Sequence, residues 1–516
     1  MQERTWSDKI FSRELTIPIL LALFQLIVHV IFHGNYGYFR DELYYIACSK
    51  RLAWGYVDQP PFSIVVLAVV RTILGDSLHA IRFLPAVAGS LVVVFAALMA
   101  RRFGGGRFAQ GCAALSVVFA PGLLAHGGYF SMNALDVLFW ATATYLVVVI
   151  LGENKPKLWL VFGVVVGLGL LNKYSIGFLC IGLTGGLLLT PQRKHLFDKW
   201  FWLGVLTAFA IFLPHVIWEG TNGFPSIEFM RNASQIKNIH LSAPEFFHGQ
   251  IRDMNYLNAP IWLAGLYFLL FTIGGKRFRT LGWVYLFVFA MMVASNAKVY
   301  YLAPAYPMLL ASGSVLGERV SMRSVKPIYL TLLILMGAIS IPFAVPVLPV
   351  ETFIRYEALL GISPHADEHS TVAQLPQYYA DEFGWKEMVA KIATIYRALT
   401  KEEQSKCVIY ARNYGEAGAI DFFGKGYGLP NALCAHNNYW LWGPGEKSGE
   451  VAIIFGSGGT VEENLTVLKQ YYKSVELVAT TTCDYCMPFE NDRPIFLCKG
   501  MNTTFQKIWF EERNYI

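Results

Sequence analysis

Charge is scarce in this chain: Asp, Glu, Lys and Arg make up 15% of its 516 residues while 55% are apolar, against about 25% charged in soluble domains. That excludes an ordinary soluble protein. Cysteine is sparse as well, and eight are too few for a disulfide scaffold. Five of them (Cys407, Cys434, Cys483, Cys486, Cys498) fall in the last quarter of the chain, where Cys483-Asp484-Tyr485-Cys486 has the spacing of half a zinc knuckle or of a redox pair. No second Cys-x-x-Cys or paired histidines complete a zinc site, which leaves a structural disulfide or plain free thiols. A P-loop and a dinucleotide fingerprint are both missing. Arg102-Phe103-Gly104-Gly105-Gly106 reads as a turn, so a nucleotide-sugar donor is disfavoured. There is no internal repeat and no low-complexity tract. Arg4, Lys9 and Arg13 precede a long apolar run without a small-residue cleavage site, so the run reads as a retained first helix.

What is present is a series of apolar segments of the length a bilayer requires, about 20 residues each. They fall at 15–32, 80–101, 108–125, 132–151, 157–172, 174–190, 200–218, 259–274, 280–296, 302–317 and 326–346, about eleven spans. With the N-terminus cytoplasmic, the inner loops carry Arg101/Arg102/Arg107, Lys155/Lys157, Arg193/Lys194/Lys199, Lys276/Arg277/Arg279 and Arg323/Lys326. Every one is basic, as the positive-inside rule demands. Counting Phe62–Leu74 as a crossing would invert all later loops, so it is expected to lie in the membrane interface. The net charge of +6 is then explained by topology and anionic lipid, without nucleic acid.

The organisation that follows is a transmembrane domain over 1–348, with external loops 33–79 and 219–258, and an external α/β domain over 349–516. In that tail short apolar runs (Cys407–Tyr410, Val451–Phe455, Val475–Thr480, Ile495–Cys498) alternate with helical patterns (Trp385–Leu399, Gly415–Phe423, Val461–Tyr472). Such alternation predicts a small layered sheet with some parallel pairing.

Chemistry is expected on the outer face. Asp41 and Glu42 are adjacent carboxylates just beyond the first span, and Asp58-Gln59 precede Pro60-Pro61 in the same loop. Lys173 and Lys298, the latter beside Tyr300 and Tyr301, end apolar helices where topology gives no reason for a cation. A buried lysine needs an anion: a lipid phosphate or the acids of the first loop. Two further polar knots share that face, one running from His126 to Asn133 and Asp136, the other from His248 to Asn255.

Arg40-Asp41-Glu42-Leu43-Tyr44-Tyr45, Gly55-Tyr56-Val57-Asp58-Gln59-Pro60-Pro61 and Ser131-Met132-Asn133-Ala134-Leu135-Asp136 resemble bacterial members of the protein O-mannosyltransferase and aminoarabinose transferase superfamily, C-type glycosyltransferases of the glycosyltransferase family 39 group. The likeness covers about 10–340. The tail motifs Asn413–Ile420 and Asn438–Gly443 resemble the external domain of an uncharacterised branch. The resemblance implies a bacterial inner-membrane enzyme that moves a sugar from a polyprenyl-phosphate carrier to a glycan, lipid or protein acceptor on the outer face. It implies Asp41 as catalytic base supported by Glu42. Arg40, Asp58, Gln59, His126, Asn133, Asp136, Lys173, Lys298 and Tyr301 become candidate contacts to donor phosphate and sugar. It requires no cofactor and leaves a divalent metal on Asp41, Glu42 and Asp58 open. Where the aminoarabinose enzymes carry Phe-Glu-Lys-Pro, this chain has Val57-Asp58-Gln59-Pro60, so the lysine of that motif is missing and the resemblance does not carry lipid A specificity over.

The residues fit that chemistry on their own terms. A single displacement needs a base near the acceptor hydroxyl and a cation for the departing phosphate. A transporter or flippase of lipid-linked sugar would instead place ionisable or broken-helix sites at mid-membrane in matching halves. A membrane-anchored envelope assembly protein would need no acids in the first loop.

Overall fold

The computed structural model describes residues 15–320, 324–366, 368–372, 374–456 and 459–516. Arg4, Lys9, Arg13 and Arg323, counted above as cytoplasmic charges, lie outside the described residues. Contacts divide the chain into two compact units: Met1–Asn35, Leu74–Ile217 and Ile239–Leu348 in the first, Tyr36–Ile73, Trp218–Asn238 and Pro349–Ile516 in the second.

The first unit is helical. Among the described residues six helices are long and apolar enough to cross a membrane, or seven if the pair Ala243–Asp253 and Tyr256–Phe271, bent by 99°, counts as one. Thr16–Phe32, Leu158–Asn172 and Ile176–Leu188 are apolar but shorter. The expected helix over 108–125 is broken into Arg107–Val118 and Pro121–Ala125. Pro121 offers no N–H and pushes Ala120 out of the helical region, to φ −99°, ψ 104°. The short pair at 157–190 is two helices, parted where Lys173 is extended at φ −157°, ψ 138°.

With no hydrophobic drive between helices in lipid, close backbone approach takes its place. A side-chain carbon on Gly313 would stand 1.8 Å from the Ile261 carbonyl, and one on Gly265 2.0 Å from that of Leu309. Glycine at both positions lets helices Ala259–Phe271 and Tyr306–Glu318 touch. Helices Lys199–Thr221 and Val325–Ser340 instead expose apolar side chains such as Leu206, Phe209, Ile328 and Leu335, the surface a bilayer covers. The chain is a polytopic helical membrane protein.

The second unit combines the tail with loop segments. Its sheet has the order β1 (Cys407–Tyr410), β2 (Val451–Phe455), β4 (Pro494–Met501), β3 (Tyr472–Thr480). β1 pairs parallel with β2, and β4 pairs antiparallel with both β2 and β3. Every residue of β1 and β2 is buried, as the continuous apolar runs demand for strands covered on both faces. β3 begins at Tyr472 and takes the last residue expected of the preceding helix, which ends at Tyr471. The boundary expected at 348/349 coincides with a division between the units, but Tyr36–Ile73 and Trp218–Asn238 group with the tail. Helix Phe62–Leu74 has 13 residues, and Arg71 Nη1 ties it to the preceding helix through Ser49 Oγ at 2.5 Å and the Ile46 carbonyl at 3.2 Å.

Candidate active site

In the second unit, Asp41 and Glu42 open helix Arg40–Ser49. Glu42 is fully buried and accepts from the Phe39 N–H at 2.9 Å, the reciprocal half of a capping box. Its carboxylate is occupied in starting the helix. Asp41, one residue earlier, points elsewhere: its side chain is 32% exposed, and Oδ1 accepts from the Tyr414 hydroxyl at 2.9 Å.

Tyr414 is the first residue of helix Tyr414–Phe423, started by Asn413 and Glu416 in another capping box. Burial holds its phenol protonated, so it remains a donor. Its ring packs at 4.9 Å from Tyr44 and 4.8 Å from His436. Burial also pushes the His436 imidazole down to about 3, so that neighbour is neutral.

Arg40 spreads over several acids: Nη2 lies 3.6 Å from Asp381 and 3.9 Å from Glu368, and Nε 3.9 Å from Asp41. Its guanidinium sits over the Tyr414 and Phe489 rings at 5.5 and 5.9 Å. Lys237 adds a second cation, 3.3 Å from Glu368. Burial raises the Asp381 carboxyl to about 6 against the pull of Arg40. Asp58, expected to face water beside Asp41, is instead half-buried and accepts from the Tyr44 hydroxyl at 2.8 Å. Burial lifts it to about 6, opposed by that hydrogen bond. Gln59 is fully buried, with Oε1 3.5 Å from Ser63 Oγ. Among the described residues no three His, Cys, Asp or Glu side chains converge as a metal site. Asp41, Glu42 and Asp58 bond separately to Tyr414, Phe39 and Tyr44.

A second cluster forms in the first unit. Lys173 Nζ donates to Asn133 Oδ1 at 2.6 Å, stands 3.9 Å from Asp136 Oδ2, and lies 4.5 Å over the Tyr301 ring. Asp136 thus supplies a carboxylate close to this ammonium. Asp136 is no helix cap: it is 2% exposed and accepts from Ser175 Oγ at 2.5 Å. Tyr300 stacks edge-on to Tyr301 at 4.7 Å and comes 6.0 Å from His126; His126 Nδ1 is bonded to the Gly122 carbonyl. Lys298 is half-buried and starts the 3₁₀ turn Val299–Ala305, which carries Tyr300 and Tyr301. The fold thus gathers Asn133, Asp136, Lys173, Tyr301 and His126 from three separate stretches of chain.

Tyr414, Asp381, Glu368, Lys237 and Ser175 escaped the reading of the sequence. Tyr414 had a local signal, the Asn413-x-x-Glu416 box that starts its helix. Nothing local links it to Asp41, 373 positions away.

Residues 58–218 match the family model described as dolichyl-phosphate-mannose-protein mannosyltransferase. The lipid A galacturonosyltransferase RgtD of Rhizobium johnstonii is 28% identical over 187 residues, 35% of this chain and 38% of that protein. The aligned stretch spans well under half of the relative. Among solved structures, ArnT from Cupriavidus metallidurans bound to undecaprenyl phosphate has a TM-score of 0.62 at 15% identity, covering 93% of this chain and 97% of that one. The oligosaccharyltransferase of Archaeoglobus fulgidus tethered to an acceptor peptide gives 0.51 at 12% identity, covering 93% and 74%. At such identities the structural likeness establishes the fold, that of the C-type glycosyltransferases.

Proposed function

We propose that this chain, which shares its fold with ArnT and matches the mannosyltransferase family model over residues 58–218, is a membrane glycosyltransferase that transfers a sugar from a polyprenyl-phosphate carrier to an acceptor hydroxyl on the outer face of the bacterial inner membrane, with Asp41 as general base. The observation that carries the reading is the contrast between the two adjacent acids. Glu42 is consumed as a cap, while Asp41 is partly exposed and oriented by the Tyr414 hydroxyl. With Oδ1 held by Tyr414, Oδ2 takes the acceptor proton as the hydroxyl attacks the anomeric carbon. The C–O bond to phosphate then breaks, leaving carrier phosphate. A general base in this position typically contributes about 10²–10⁴-fold.

The departing phosphate needs cationic donors. An ammonium has three; Lys173 gives one to Asn133 and holds Asp136 at 3.9 Å, beyond hydrogen-bond range. Donor capacity remains, and we assign Lys173 and Lys298 to the carrier phosphate. The relatives' names support this class of donor: ArnT was crystallised with undecaprenyl phosphate, and the family model is named for dolichyl-phosphate mannose.

Incubating the purified full-length chain with polyprenyl-phosphate sugars of several kinds and following carrier-phosphate release tests the reading. Release dependent on an acceptor is expected, whereas a flippase or an assembly protein leaves the glycosyl-phosphate bond intact. Mass spectrometry of lipids that accumulate in a deletion strain would identify the sugar.

A further inference from the structure

The loop between β3 and β4 carries Cys483 and Cys486, which the transfer chemistry does not use. Both are free thiols, and they differ in accessibility: Cys486 is buried, Cys483 half-exposed. The loop is held at its base. Thr481 N–H donates to the Arg493 carbonyl at 2.9 Å, Arg493 N–H returns a bond to Thr481 Oγ1 at 2.9 Å, and Asn491 Oδ1 accepts from the Cys483 N–H at 2.8 Å. Within this frame the Cys486 N–H points at Cys483 Sγ, 3.2 Å away, and Cys486 Sγ lies 3.6 Å from the Cys483 carbonyl. The two-residue spacing is thus wound so that the second cysteine's backbone donor serves the first cysteine's sulfur.

Gly384 closes the other side. It adopts φ +90°, and a side-chain carbon there would stand 3.0 Å from Cys483 Sγ. Backbone conformation and space both call for glycine beside this sulfur.

We propose that Cys483 and Cys486 form a reversible dithiol redox site whose substrate class is an external disulfide, protein-borne or small. Cys483 thiolate attacks one sulfur of the disulfide and expels the other half as thiolate. Cys486 then loses its proton and attacks Cys483 Sγ, releasing the second half. Two protein thiols are oxidised to one disulfide, one external disulfide is reduced to two thiols, and the reverse sequence restores the dithiol. The polarity of the pair suits that order. A hydrogen bond from the Cys486 thiol lowers Cys483 to about 7, while that bond and burial raise Cys486. The more exposed sulfur is the nucleophile and the buried one the resolving partner.

The test is made on the full-length chain in detergent, equilibrated in glutathione buffers from reducing to oxidising and read by thiol-specific mass tagging with peptide mapping. The wild type is expected to lose two taggable thiols together, both from Cys483–Cys486, and to regain them on return to reducing buffer. Cys486→Ser should accumulate a glutathione adduct at Cys483, and Cys483→Ser should accumulate none at Cys486. In wild type, alkylation of Cys483 should be half-maximal near pH 7 and move upward in Cys486→Ala, which removes the side-chain donor. If any variant fails to fold, the wild-type titration decides alone. Thiols that stay free across the whole range, a disulfide that never reopens, or thiols masked until a chelator removes zinc would each overturn the proposal.

Discussion

Neighbouring carboxylates can have opposite fates when one is claimed by the backbone. Asp41→Asn keeps the shape of the side chain and its contact with Tyr414 but removes the base, so turnover should fall by about 10²–10⁴-fold with folding intact. Retention of a tenth of wild-type turnover at saturating substrates would remove Asp41 from the role. Glu42→Gln should behave differently: glutamine also completes a capping box, so activity survives, whereas Glu42→Ala costs about 1 kcal/mol of stability through the lost cap. Tyr414→Phe deletes one hydrogen bond to a charged group, worth about 1.5–3 kcal/mol, and should lower turnover roughly tenfold or more, a loss visible in steady-state kinetics. Asp58 bears on pH. Its folded pKa is raised to about 6 by burial, above the roughly 3.9 of an unfolded chain. Between those values the folded chain holds the extra proton, so stability falls as pH rises through the window of about 4 to 6 and is greatest below it. Thermal midpoints of the detergent-solubilised chain should show that slope, and Asp58→Asn should flatten it.

Helices place these residues by close approach. Helix Tyr414–Phe423 lies so near Arg40–Ser49 that a side-chain carbon on Gly418 would stand 2.7 Å from the Leu43 carbonyl carbon, and one on Gly415 2.5 Å from Arg40 Cγ. Gly418→Ala must therefore part the two helices that hold Tyr414 and Asp41. An overpacking cost of about 1–3 kcal/mol is expected, with a lower thermal midpoint and a loss of turnover resembling that of Tyr414→Phe. An unchanged midpoint would show that the helices can slide without cost. Helix starts carry local marks in the form of capping boxes, Asn413 with Glu416 and Thr460 with Glu463, which the apolar pattern alone did not use. The break at Ala120 had a visible cause in Pro121, yet an unbroken apolar run over 108–125 outweighed it.

At the scale of the molecule, charge in short loops sets orientation. If the basic loops are cytoplasmic, a cysteine replacing exposed Arg107 should react with an impermeant maleimide only from the inside, and one replacing exposed Glu446 only from the outside. Both substitutions belong in a Cys483→Ser background, because that native thiol is partly exposed. Labelling from one common side would show that the number of crossings between them is wrong.

Composition, apolar periodicity and loop charge are local or additive properties. They sufficed by themselves for a polytopic helical protein, for the strand runs of the tail, and for the loop motifs that mark Asp41. Pairings across hundreds of residues are not additive. Tyr414 on Asp41, and Asp381 and Glu368 on Arg40, exist because buried polar groups must find partners once the backbone is placed. The same requirement gave Lys173 a nearby carboxylate in Asp136 and a hydrogen-bond acceptor in Asn133. Only the tertiary structure could decide these partners, since several acids and amides in the sequence would have satisfied each cation equally well.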